Sequence, residues 1–427
     1  LMRYILTLLL LGQIIMAATI QQIQVNGLKV PLIYEEDKRL PLATMQFTFT
    51  NAGSITDTDK PGLAKVSAKV MNEGTKKLGS SAFAEMLESK AIHISASTGV
   101  ETFVIEVGSL TENFDEALGY FEALLKDPNL TEDALSKVKT TTIGGLSRKE
   151  NDFDYIASNE LTSVLFEGTT LANPSSGTIK SVKSIEIDDV KDFIEKNMIS
   201  SKLIVVLGGS IDLESVKKKI ATIIETLHKG EETPVKHYDV VKKARESVLM
   251  RETEQAYVYF GSPYNMQAND EDYYKARVAT YILGTGGFGS RLMEEIRVKR
   301  GLAYSAYARV SVTKSSSYMT GYLQTKLESM DEAKKTVKEV IAKFVEKGVT
   351  QEELEQTKKF LLGSEPLRVE TMNQRLNRTF MEYYQGQELG HSIKELEKIQ
   401  NLELKDLNAF IKEHKEILEL SFAIVTK

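Results

Sequence analysis

The sequence predicts an α+β protein built as two homologous halves. Two observations carry this: segments that recur in the same order at a nearly constant spacing, and period-two strand patterns that cluster with longer helical ones instead of alternating with them. Asp115-Glu116-Ala117 returns 216 positions later as Asp331-Glu332-Ala333. Residues 130–135 (LTEDAL) resemble residues 349–354 (VTQEEL) at a spacing of 219, each with a Thr placed to cap a helix and acids in its first turn. Residues 185–190 with Phe193-Ile194 resemble residues 402–407 with Phe410-Ile411 at a spacing of 217. Any one pair is a common kind of helix start, but three collinear pairs at one spacing point to a duplication.

The chain opens with Arg3, an apolar run from Tyr4 to Met16, and Ala17-Ala18, the pattern of a secretory signal peptide over residues 1–18. That run is shorter than the roughly 20 apolar residues of a membrane span, although an uncleaved anchor is the alternative. The first domain is expected over residues 19–230. It starts with a strand-like segment, residues 20–31, followed by strands around Met45-Phe47-Phe49, Ile92-Ile94-Ala96, Phe103-Ile105-Val107 and Leu203-Val205-Leu207. Helical patterns run over residues 57–71, 113–125 and 132–142. A polar stretch, residues 231–243, reads as the linker. The second domain, residues 244–427, has strands at 256–261, 306–312 and 317–325 and helices at 270–283 and 331–347. Two domains joined by a polar linker suggest hinge motion.

Composition excludes several classes. At 427 residues, 42% hydrophobic and 27% charged, the chain is long enough for more than one core and too apolar for disorder. A net charge of −6 with no basic stripe argues against nucleic acid as a partner. With no cysteine there is no disulfide, no thiolate metal site and no lipid-attachment cysteine, so the signal peptide points to a periplasmic or secreted protein that needs no membrane after signal cleavage.

Gly53-Ser54, Asp57, Gly62-Leu63-Ala64 and Gly74-Thr75 form a frame that resembles the pitrilysin (insulinase) zinc metallopeptidases, the inverzincins, whose signature continues Ala-His-x-x-Glu-His. The resemblance spans about residue 21 to the C-terminus. It implies that each domain is a mixed, mostly antiparallel sheet with helices packed on one side, the two facing each other across a chamber. The family's two zinc histidines fall here on Lys65 and Lys69, and its general-base glutamate on Ala68. Histidines four apart share a helix face and can meet one Zn²⁺. An ammonium has no lone pair to give, and alanine offers no base. The family's third ligand, a glutamate further on, falls near Gly144, in a stretch without a carboxylate. No two of His93, His228, His237, His391 and His414 stand at ligand spacing. The ordinary reading of Lys65 and Lys69 is as solvated residues of an amphipathic helix, and the other is a lysine base.

The second half keeps its motif. Residues 288–292 (FGSRL), Ile296-Arg297 and residues 300–305 (RGLAYS) are similar to the family's C-terminal signature, whose arginine and tyrosine, seven apart, reach the substrate; Arg297 and Tyr304 match that pair. A helix-end salt bridge and a core tyrosine are the ordinary alternatives. The glycine-rich residues 284–289 read as a turn, because the Lys-Ser or Lys-Thr of a phosphate loop is missing. The family also receives substrate as an added strand at a sheet edge, which here matches Ser95-Ala96 in residues 94–98, equally readable as a plain strand.

The resemblance therefore implies a non-catalytic subunit with no metal or cofactor of its own, binding peptide substrates for a zinc-bearing paralogous subunit that holds the zinc. A periplasmic peptide-binding or escort protein is the alternative. A core subunit of a membrane complex and a peptidase active alone have less support, since a fold does not carry activity when the site is missing.

Overall fold

The computed structural model describes residues 18–427; of the expected signal peptide, residues 1–17 lie outside the described residues. The chain forms two sheets. The first takes strands from the first half: β1 (Thr19–Val25), β2 (Leu28–Glu36), β3 (Leu42–Thr50), β4 (His93–Thr98), β5 (Thr102–Leu110) and β6 (Leu203–Gly209), in the order β1-β2-β6-β3-β5-β4. The second takes β7 (Glu246–Met250), β8 (Gln255–Pro263), β9 (Ala303–Val312), β10 (Ser317–Lys326) and β11 (Ser421–Thr426), in the order β7-β11-β8-β10-β9. Each sheet has one parallel pair, β2 with β6 and β7 with β11, and is otherwise antiparallel. The duplication read from the sequence is therefore present in the strand order.

Alternation decides which face of each strand meets the helices. From β3, Ala43, Met45, Phe47 and Phe49 enter the first core together with Phe114, Ala117, Leu118, Phe121 and Leu124 of helix α2 (Phe114–Lys126). The Phe47 and Phe121 rings meet edge to face, 4.9 Å apart. In the second half Val258, Phe260, Phe422 and Ile424 pack with Ala333, Val337, Ile341 and Phe344 of α5 (Met330–Lys347).

Local signals moved some helix boundaries. The pattern at residues 57–71 yields only α1 (Leu63–Met71), because Gly62 takes φ +94° and the buried Asp57 carboxylate accepts the Gly62 and Ala64 amides at 2.9 and 2.8 Å, capping the helix from six residues upstream. Helix α3 (Glu132–Lys149) runs past Thr142 through Gly144 and Gly145. The pattern at residues 270–283 becomes a helix at Tyr273–Thr280 that widens into a π-helical turn at Tyr281–Thr285.

What single-face patterning does not reveal is the covering of the other face. Every residue of β6 and of β11 is buried, so both faces of these strands are covered. Helix α4 (Phe153–Leu165), from the first half, packs on the second sheet: Leu161, Leu165 and Phe166 join Ala423, Tyr259 and Tyr318. Helix α6 (Met372–Tyr384), from the second half, packs on the first: Leu376 and Tyr384 join Ile33, Ile204 and Val206. Polar anchors fix both. Asp154 accepts the Tyr259 hydroxyl at 3.1 Å and the Gln324 amide at 2.5 Å. Arg375 reaches Glu35 at 2.7 Å and Asp37 at 2.9 Å. Burial raises the Glu35 pKa against the pull of Arg375, while the bond from Arg39 holds Asp37 down at about 2. Residues 231–243 have no regular structure, yet they are docked: the Tyr238 and Val241 amides donate to the carbonyls of Ser315 and Leu165, and Val240 is buried.

Arg375→Ala strands a buried Glu35 carboxylate and is expected to lower unfolding stability by about 3–5 kcal/mol. Arg375→Met with Glu35→Leu should recover most of that loss; urea unfolding of the single and double variants measures both.

Candidate functional site

The frame residues position α1. A Cβ on Gly53 would lie 2.4 Å from the Val100 carbonyl oxygen, and one on Gly62 2.9 Å from the backbone of Gly177 and Ser176, so both glycines allow close chain approaches. Burial pushes the Asp57 pKa up to about 7, against the lowering effect of the helix amides it caps. Helix α1 turns Ala64, Ala68 and Met71 to the sheet, and Val66 and Val70 to α3.

Lys65 and Lys69 occupy a third stripe. They are half-buried instead of solvated, which corrects the ordinary reading of them. The Lys65 ammonium donates to Ser176 Oγ and the Lys69 ammonium to Thr142 Oγ1, both at 2.8 Å. Burial lowers both pKa values, and the neighbouring positive charges add to this: Lys149 acts on Lys65, and Lys65 on Lys69. Thr142 is the α3 residue that meets Lys69, two positions before Gly144. The donor set does not fit zinc, since two ammonium groups, a methyl group and a hydroxyl supply neither a charged ligand nor a base. Among the described residues no three His, Asp or Glu side chains converge as a metal site.

Residue 72 continues the stripe of residues 65 and 69 and was not singled out in the sequence, although its spacing was readable there. The Asn72 side chain donates to the Ala96 carbonyl at 2.9 Å and accepts the Ala96 amide at 2.7 Å. β4 is an edge strand, and because the Ala96 N–H is committed to Asn72, Ala96 and Ile105 form a non-hydrogen-bonded pair whose backbone groups face outward. An incoming strand would need those two groups. Ser95 instead meets His93 Nε2 at 3.0 Å. The corresponding edge of the second sheet is closed differently. Gly284, which precedes Ala308 by the same 24 residues, lies so close that a Cβ would be 2.4 Å from the Ala308 nitrogen. This close approach, not a phosphate cradle, accounts for a glycine there.

Arg297 and Tyr304 come together on the surface. Arg297 sits on a π-helical turn, Glu294–Val298, and Tyr304 near the start of β9. The guanidinium lies 4.2 Å from the Tyr304 ring centroid and 4.6 Å from that of Phe288, a residue to which the sequence pattern assigns no role. Tyr304 is 81% exposed and Phe288 64%, so Tyr304 is no core residue. Arg297 has no carboxylate within ion-pair distance among the described residues, so it is no helix-end salt bridge. The described contacts do not link this pair to Lys65, Lys69 or Asn72.

Two family models match: insulinase (peptidase family M16) over residues 34–179, and peptidase M16 inactive domain over residues 184–361. The chain is 44% identical, over its whole length and 99% of the relative's, to a Helicobacter pylori protein described as non-peptidase homolog YmxG. Its fold is similar to that of a peptidase M16 inactive domain from Pseudomonas fluorescens, with a TM-score of 0.87 at 22% identity, covering 96% of this chain and 98% of that one. It is also similar to a protease from Helicobacter pylori, with a TM-score of 0.82 at 16% identity, covering 96% and 100%.

Because the folded-state pKa of Asp57 lies above the unfolded value of 3.8, its protonation stabilises the fold below about pH 4, and this contribution is lost as pH rises through about 7. The stability difference between the native chain and Asp57→Asn, followed by urea unfolding, should change by on the order of 4 kcal/mol across that window and stay flat above it. In Asn72→Ala, amide hydrogen exchange at Ala96 should speed up at least tenfold while β3 amides keep their protection.

Proposed function

The chain belongs to the insulinase family of M16 peptidases as a non-peptidase member, and we propose that it is the non-catalytic subunit of a heteromeric zinc peptidase, helping a zinc-bearing paralogue bind and position peptides. The observation that carries this is the Arg297–Tyr304 pair, preserved in sequence, with Tyr304 exposed and the half-buried Arg297 without an ion-pair partner among the described residues. A planar guanidinium fork suits peptide carbonyls or a carboxylate, and a neutral phenol can donate to an oxyanion that forms at a metal held by another chain. Arg and Tyr stacked beside an exposed Phe are also the residue types that anchor protein interfaces. The apolar N-terminal run, read as a signal peptide, supports placing this work in the periplasm or outside the cell.

Strand addition at Ser95 and Ala96, whether in the subunit or in a periplasmic peptide escort acting alone, is disfavoured by the Asn72 amide, which takes the Ala96 backbone groups such a strand would use.

Purified alone, the chain should bind no zinc and cleave no peptide. Mixed with a zinc-bearing paralogue, it should raise peptide cleavage above the paralogue's own rate. Tyr304→Phe is expected to lower the joint kcat by about a hundredfold if the phenol meets the oxyanion, and Arg297→Ala to raise KM about tenfold. A mixture no faster than the paralogue by itself would rule out the subunit role.

A further inference from the structure

Lys65 and Lys69 stand one helical turn apart on the α1 face that meets α3, and Lys149, in the last turn of α3 with its Nζ 4.2 Å from the Tyr155 ring centroid, is near enough for its charge to act on Lys65. None of the three has a carboxylate within ion-pair distance among the described residues; their partners are the Ser176 and Thr142 hydroxyls and an aromatic face. The acids nearby in sequence that carry described bonds are used elsewhere: Asp152 accepts the Tyr155 amide, and Asp154 is held by Tyr259 and Gln324. Each ammonium carries three N–H donors, and Lys65 and Lys69 each give one to a protein acceptor. Two half-buried positive charges beside a third, with donors to spare, raise the energy of the fold unless an anion joins them.

Lys65 and Lys69 are only partly buried and Lys149 is exposed, so all three can be reached from solvent. Ser175, next to the Ser176 that Lys65 touches, lines a neighbouring cleft of about 430 Å³ that the three lysines do not themselves line, whose walls include Asn159, Thr162, Asn173 and Tyr384. Hydroxyls and amides such as these suit a peptide backbone. We propose that Lys65, Lys69 and Lys149 form a carboxylate-binding site that takes an acidic side chain or the C-terminal carboxylate of a peptide. The site belongs to this chain alone and does not depend on a paralogous subunit.

Isothermal titration calorimetry on the full chain tests it with four probes: capped tetraglutamate, tetra-alanine with a free C-terminus, capped tetra-alanine, and inorganic phosphate. Binding of either carboxylate probe, with at least tenfold weaker binding in Lys65→Met/Lys69→Met, several-fold weaker binding in Lys149→Met, and retention in Lys65→Arg/Lys69→Arg, is the expected result. Which carboxylate probe binds tells side chain from terminus. The double Met variant should also melt at the same temperature as the native chain or higher, because repulsion has been removed. The proposal is overturned if no carboxylate probe binds, if capped tetra-alanine binds equally well, if phosphate alone binds, if the double Met variant keeps full affinity, or if that variant melts several degrees lower, which would make the lysines structural.

Discussion

The structure depends on a requirement set by its central strands. β6 and β11 are buried throughout and must be covered on both faces, yet each half supplies a full helical layer for only one. The second face of each sheet is covered by a helix from the other half, α4 in one direction and α6 in the other. Neither sheet is complete without the partner half, so the duplicated units act as one folding unit instead of two beads on a tether. The anchoring groups suit this exchange, since a buried carboxylate and guanidinium pair holds α6, and an aspartate at the start of α4 receives a phenol and an amide. The docked segment between the halves follows from the same arrangement, because it lies in the seam that α4 creates.

Much of this was legible in the sequence, and the limits were physical. Period-two patterns located β3, β5, β8 and β10, because one strand face is buried more deeply than the other. The exchange of helices was not legible: a fully apolar strand says that both faces are covered, never by what. Helix ends failed where a distant residue set them, as Asp57 does for α1, and where a helix widened to let Gly284 approach Ala308. At the site, Lys65, Lys69, Arg297 and Tyr304 were identified by position in a motif. Thr142, Ser176 and Phe288 were not, because they lie far along the chain or carry no spacing signal. Asn72 was within reach of helical periodicity, but its partner, an edge-strand backbone, leaves no trace in side-chain patterning.

The first half has exchanged its chemistry without giving up its charge. Where the family resemblance implies two metal-binding histidines, this chain places two ammonium groups on one face of α1, with a threonine of α3 opposite. The frame that shapes the site is intact down to the glycines that permit close chain approach. What was lost is the capacity to donate electron pairs to a metal and to activate water. A region of positive potential between two helices and beside an edge strand remains.

The Asn72 amide has a consequence for the solution behaviour of the chain. An unpaired edge strand is a template on which another extended chain can begin to pair, so folded proteins guard such edges. β4 is short, and its middle residue, Ala96, is held by a side chain that presents one donor and one acceptor at the spacing of a peptide group. Across the molecule, Gly284 brings a helix so close to β9 that no strand could slip between them. The β4 and β9 edges are thus shielded against sheet growth by different means, which leaves β1 and β7 as the edges on the opposite side of each sheet.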